Sequence, residues 1–319
     1  MWLRDLTWTG GAVYTPGMKA TLFVTLAALT AAYLVVWVRS VRRAGGRGPA
    51  GESARPGPLN LLIGFVTNFF DTLGIGSFAT TTSLFRMLGT VPDELIPGTL
   101  NVGHTAPSVT QAFIYIAIVA VAMPTLAAMI GAAVAGAWLG AGVVSRWSRA
   151  RVQRGMGSAL LAAAGLMLMT QLGLVPLGGE AVGLSGVLLA VAVGVNFVLG
   201  ALMTLGIGLY APCMILVSLL GMDPKVAFPI MMGSCAFLMP VGSVRFIREG
   251  RYALSAAVGL ALGGLPAVLL AAYVVRSLPL GAVRWLVIVV VVYTAVALLR
   301  AAQRERRGAG PSAATAPGP

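Results

Sequence analysis

Long apolar stretches dominate the pattern of the chain. Residues 20–38 and 282–299 hold a single charged residue between them, Arg284, and about 18 such residues are enough for a helix to cross a bilayer. Runs of the same kind predict spans near residues 97–121, 124–144, 153–174, 226–244, 253–275 and 282–300. Two further apolar segments, 58–89 and 184–221, are interrupted by Gly-Ile-Gly, which predicts a helix that stops and restarts. The first run, 17–38, exceeds a signal-peptide core and leads into Arg39, Arg42, Arg43 and Arg47 instead of a small-residue cleavage site, so it reads as a retained anchor. The Arg/Gly/Pro-rich stretch 39–57 reads as a solvated linker, and 308–319 as a disordered tail with nothing to bury.

The order of elements repeats. Thr72-Leu73-Gly74-Ile75-Gly76 recurs as Thr204-Leu205-Gly206-Ile207-Gly208, an offset of 132, and the same ungapped offset pairs Gly89 with Gly221, Pro92 with Pro224 and Pro97 with Pro229. From Phe65 to Pro97, 13 of 33 positions are identical to their partners. An unbroken pentapeptide followed by Gly and Pro matches in register marks an internal duplication. It divides the chain into an N-terminal helix and linker (1–57), a first repeat (58–183), a second repeat (184–307) and the tail.

Composition agrees with the pattern. Apolar residues make up 58% of the 319 and charged residues 10%, against roughly 45–50% and about 25% in a soluble domain. That excludes a soluble fold. The net charge of +13 sits beside apolar segments without interleaved aromatics, so it points to topology and not to nucleic acid. If each broken segment turns back as a hairpin, 17 of the 22 basic residues fall on one side, leaving Arg4, Lys19, Lys225, Arg276 and Arg284 on the other. Three spans then separate the hairpins, which enter from opposite faces. The expected fold is an all-α polytopic membrane protein with two inverted repeats, each a broken helical hairpin plus three transmembrane helices, and an extra N-terminal transmembrane helix. The positive-inside rule makes the basic side cytoplasmic, with the N-terminus outside and the C-terminus inside, in a cell inner membrane. Inverted repeats with discontinuous helices are an architecture of secondary transporters, whose sites lie at the midplane.

Candidate chemistry gathers at the breaks. A helix restarting at Gly76 would aim free N–H groups and about half a positive charge at the membrane centre, and one restarting at Gly208 would do so from the other side. That pair predicts a site for a small anionic substrate. Thr72, Gly74, Gly76, Ser77, Thr80 and Thr81 line the first break, Thr204, Gly206 and Gly208 the second. Thr82 follows the first set, although a single hydroxyl here bonds its own helix more often than a ligand. The next span carries Asn101, His104, Thr105, Ser108 and Gln111, a polar density unusual for a membrane helix. His104 and Asp71 are the candidates for carrying a coupling proton, or for pairing with each other. Met203, Met214, Met231, Met232 and Met239 read as packing. No metal-ligand spacing, phosphate loop or nucleophile–base pair is present, so neither an enzyme nor a cofactor is expected. The partners expected are the anion, the bilayer and, as a candidate, a second copy of the chain.

Residues 64–110, with Gly74-Ile75-Gly76 and Gly89, and 194–242, with Gly206-Ile207-Gly208, Pro212 and Gly221, resemble the TauE/SafE sulfite exporter family of membrane permeases. The resemblance covers residues 58–300. It implies export of sulfite, organosulfonates or related sulfur-containing anions by alternating access, and Pro212 and Ser234 in the second matching stretch complete the expected binding set. The sequence departs from the family pattern where Ser77-Phe78 and Leu209-Tyr210 replace further glycines, and where Thr80 stands opposite Pro212. Two other readings are a membrane thiol relay through Cys213 and Cys235, and a non-transporting scaffold. Both cysteines belong to one repeat, with Thr81 and Gly103 as their mates, and a scaffold has no need of the polar face from Asn101 to Gln111.

Overall fold

The computed structural model describes residues 16–49, 51–174, 179–204, 209–274 and 280–308. Among the described residues the fold is all α: α1 (Pro16–Arg43), α2 (Pro58–Thr72), α3 (Ser77–Leu88), α4 (Ile96–Ile118), α5 (Met123–Val144), α6 (Arg149–Gln171), α7 (Gly186–Met203), α8 (Tyr210–Leu219), α9 (Ala227–Arg248), α10 (Leu254–Val274) and α11 (Leu280–Gly308). Six of them, α1, α5, α6, α7, α9 and α10, are long and apolar enough to cross a membrane, as a multi-pass membrane protein requires. α4 has the length, at 23 residues, but its polar side chains keep it outside that group.

The first half breaks where its glycines stand. α2 ends in a Schellman turn: Gly74 takes φ 85°, its N–H bonds the Asp71 carbonyl at 2.8 Å, and the Ile75 N–H bonds that of Phe70 at 3.1 Å. Gly76, at φ 91°, then starts α3. The end of the second broken helix copies the first at the same offset. The Thr90 N–H bonds the Phe85 carbonyl past Gly89, and the Met222 N–H bonds that of Val217 past Gly221, both glycines having positive φ. The glycines at 206 and 208 lie outside the described residues.

Contacts along α4 give the sense in which its neighbours run. Asn68 of α2 meets His104 and Thr72 meets Gln111, so α2 runs with α4. Thr81 of α3 also meets His104, and Arg86 pairs with Asp93 just ahead of α4, so α3 runs back against it. α1 opposes α4, with Lys19 bonding the Ala117 carbonyl and Tyr33 that of Val102. α9 opposes it as well, since Gly98 lies against Phe246 and Gly233 against Ile116.

Packing between the halves is reciprocal. α2 packs on α10 and α7 on α5; α4 crosses α9; α4 touches α10 and α9 touches α5; α6 pairs with α11; α3 touches α11 and α8 touches α6. Exchanging α2–α6 for α7–α11 maps α4–α9 and α6–α11 onto themselves and each of the other pairings onto another. The closest crossings use glycine, as expected where lipid supplies no hydrophobic drive between helices. A Cβ on Gly64 would collide with the Gly259 carbonyl, and one on Gly200 with that of Ala133. α4 and α9 also carry an internal proline each, Pro107 and Pro240. Each removes one backbone donor, so the Gly103 and Ala236 carbonyls lose their helical partner inside the bundle.

One end of the bundle collects the arginines. Arg42 and Arg43 close α1, Arg86 lies in the last turn of α3 and Arg245 and Arg248 in that of α9. Arg251 bonds the Trp147 carbonyl at 2.8 Å, and Arg146 lies 3.9 Å from Glu249. The linker that follows α1 is mostly exposed, and it is tethered to the bundle. α1 continues to Arg43, and the chain after it folds onto the α9–α10 turn: Glu52 accepts the Leu254 N–H, and Ser255 bonds the Arg55 carbonyl. Burial of an N-terminal helix end that has no side-chain cap of its own accounts for the docking. α6 likewise starts at Arg149, four residues before the expected span.

Candidate functional site

The first break opens onto a buried polar network. Asp71, 1% exposed, stands in the last turn of α2. Its Oδ2 accepts from Gln111 Nε2 at 2.9 Å and lies 3.1 Å from the Tyr210 hydroxyl. The other Gln111 amide proton goes to Thr72 Oγ1 at 2.9 Å, and Gln111 Oε1 lies 3.0 Å from the same Tyr210 hydroxyl. Tyr115 donates to the Thr72 carbonyl at 2.7 Å. Asp71 Oδ1 has no hydrogen bond of normal geometry, and the Ser77 amide and hydroxyl at the start of α3 face the carboxyl. The carboxyl of Asp71 therefore occupies the N-terminal end of α3, where an anion is favoured.

Hydrogen counting shows which protonation states this network permits. Tyr210 has one hydroxyl proton and two acceptors within reach, Asp71 Oδ2 and Gln111 Oε1. With Asp71 ionised, Tyr210 can donate to Gln111 Oε1 while Oδ2 keeps its bond from Gln111 Nε2, so both acceptors are served. With a proton on Asp71 Oδ2, the acid donates to Tyr210 and Tyr210 donates to Gln111, and both contacts are made. The network accommodates the carboxyl in either protonation state.

A second network lies seven residues earlier on α4. His104 Nδ1 meets Asn68 Oδ1 at 3.0 Å, and Nε2 meets Thr81 Oγ1 at 3.0 Å. Asn68 Nδ2 donates to the Gly64 carbonyl at 2.7 Å, which fixes the amide so that Oδ1 accepts and His104 Nδ1 carries the proton. Nε2 is then free to accept from Thr81, and a neutral ring satisfies every contact. Phe78 packs on the ring at 5.7 Å. His104 thus ties α2, α3 and α4 together. It makes no hydrogen bond to Asp71, so the expected Asp71–His104 pair is replaced by Asp71–Gln111–Tyr210 and Asn68–His104–Thr81.

The other expected residues scatter. Thr80 turns back onto the Gly76 and Ser77 carbonyls, and Thr204 onto that of Ala201. Thr105 bonds the Asn101 carbonyl at 2.6 Å and stands 3.5 Å from Ser243 of α9. Asn101 donates to the Pro97 carbonyl, while its buried Oδ1 is unpartnered; so is the Thr82 hydroxyl. Ser234 accepts from Asn196 at 3.1 Å, away from the first break. Pro212 is the third residue of α8, where no helical hydrogen bond is lost. Gly206 and Gly208 lie outside the described residues. Cys213 and Cys235 are free and buried, with Cys235 Sγ 3.6 Å from Met203 Sδ.

Tyr210, Asn68 and Asn196 were not among the expected site residues. The repeat alignment held a signal for the first, because Tyr210 stands opposite Phe78, and only the hydroxyl separates the two. Phe78 packs on His104 within its own half; Tyr210 crosses to Asp71. No family model matches the chain, and no curated protein or solved structure matches it.

Proposed function

We propose that the chain is a secondary transporter of small anions, working by alternating access between two inverted repeats. The observation that carries the reading is the link across the halves: Tyr210, which begins the helix after the second Gly-Ile-Gly, reaches Asp71, three residues before Gly74 of the first. α2 and α3 run up and back beside α4, while α9, the counterpart of α4, runs the other way. That supports hairpins entering from opposite faces, with the breaks meeting inside. The arginine-rich end is then the cytoplasmic one, with the start of α1 outside.

In this reading Asp71 is the resident anion of the α3 N-terminus. The site offers amide and hydroxyl donors to a substrate and no cation among the carboxyl's bonded partners, Gln111 and Tyr210. An ionised Asp71 would repel an incoming anion; a protonated one is held aside by Tyr210 and Gln111 and leaves the amide end of α3 to the substrate. Proton and anion then move together. The resemblance of the break motif to the TauE/SafE family makes sulfite and organosulfonates the first substrates to try.

The test is uptake of a panel of small anions into proteoliposomes, with and without a proton gradient. Flux of at least one anion, rising as pH falls, supports the reading. Transport of neutral or cationic solutes only would overturn it.

A further inference from the structure

Three arginines converge on a groove at the basic end of the bundle, remote from Asp71. Arg86 from the end of α3 and Arg300 and Arg304 from the end of α11 line a cavity of about 440 Å³, with Val296 and Tyr293 along its apolar wall. Arg86 is already committed to Asp93, which also accepts from Gln153 Nε2 at 2.8 Å. Arg300 and Arg304 stand four residues apart on one face of α11 and are exposed, and no ion pair joins either to an acid among the described residues. Tyr293, two turns toward the membrane, is 64% exposed on that same helix. A cationic mouth at one end of a long helix, continued by an exposed aromatic and aliphatic wall toward its middle, matches an amphiphile: a phosphate at the interface and an acyl chain along the helix.

We propose that this α3–α11 groove binds an anionic phospholipid, with the phosphodiester between Arg300 and Arg304 and the acyl chain along Val296 and Tyr293. The guanidinium fork suits a phosphate, and the location suits a headgroup better than a free ion, since the groove opens beside an exposed apolar helix face. Arg86 gives the lipid a contact with the end of the first hairpin. This inference does not depend on what the protein transports.

The experiment is lipid retention and thermal unfolding of the purified full chain in mixed micelles of phosphatidylglycerol or chain-matched phosphatidylcholine. Wild type is expected to retain phosphatidylglycerol selectively and to melt higher with it, and Arg300→Gln/Arg304→Gln to weaken retention roughly 30-fold. Arg39→Gln/Arg43→Gln, on the α1–α9 groove of the same face, is the control and should retain most of the effect. Equal retention of both lipids, an unaltered phosphatidylglycerol effect in the double variant, or the same loss in the control would each overturn the proposal. Inorganic phosphate alone reproducing the shift would overturn the lipid assignment in favour of a free anion. If the double variant melts lower than wild type in phosphatidylcholine, Arg304→Gln alone, expected to lose about fivefold, provides the deciding comparison, and unchanged retention there overturns it.

Discussion

The Tyr210 hydroxyl lies 3.1 Å from Asp71 Oδ2, joining the residue that opens α8 to one in the last turn of α2. These residues belong to different repeats and are 139 positions apart, yet each stands next to its own Gly-Ile-Gly. The contact depends on the single atom by which Tyr210 exceeds its repeat mate, Phe78. Two segments of matching sequence thereby acquire one bond that the match does not repeat.

Removing that hydroxyl isolates its effect. Tyr210→Phe should lower stability by about 1 kcal/mol, the usual net worth of one hydrogen bond, as read by thermal unfolding in detergent. It should also shift the pH at which flux half-activates, because the protonated acid loses its acceptor. Unfolding and pH profile both identical to wild type would remove the bond from the account.

His104 is expected to act through structure. His104→Ala strands Asn68 Oδ1 and the Thr81 hydroxyl inside the bundle, at a cost of about 2 kcal/mol or more. Residual flux should keep the wild-type pH profile. A flattened profile in a well-folded variant would make the histidine a proton carrier instead.

The crossing glycines predict opposite signs at different positions. Gly64→Ala and Gly200→Ala push a methyl into a backbone carbonyl of the neighbouring helix and should each cost about 1–3 kcal/mol. Gly131→Ala on α5 meets nothing within 4 Å and should be neutral or gain up to about 1 kcal/mol. Melting temperatures of the three variants check this directly.

Topology can be read by labelling. Cysteines introduced at Ser53 and Ser148, at the arginine-rich end, should react with a membrane-impermeant maleimide only from the cytoplasmic side. One at Ser185, which precedes α7 at the other end, should react only from outside. Native Cys213 and Cys235 are buried and should stay silent. Labelling of all three from one side would contradict the opposed hairpins.

Much of the framework was legible in the sequence because its causes are local. Apolar runs longer than a bilayer predict helices, and Gly74 and Gly76 predict the break, since the turn needs positive φ there. The side-chain partners were less legible. Whether Asp71 bonds His104 or Gln111 depends on the rotation of α2 against α4, set by glycine contacts with α10 that lie far away in sequence. Tyr210 looked like a departure from a family motif, and only its placement against α2 gives the hydroxyl a partner. The tethering of the linker was illegible for a related reason: its composition is that of a solvated segment, and the carboxylate of Glu52 meets the start of α10 only in three dimensions.

The most direct test measures anion-driven counterflow in proteoliposomes across a pH series, for wild type and Asp71→Asn. The amide keeps the shape of a protonated carboxyl and can still donate toward Tyr210. Wild-type flux should rise as pH falls, following protonation of Asp71, and Asp71→Asn should fold, transport, and respond little to pH. Pronounced pH dependence that survives in Asp71→Asn, or no anion flux at any pH from well-folded wild type, would contradict the account.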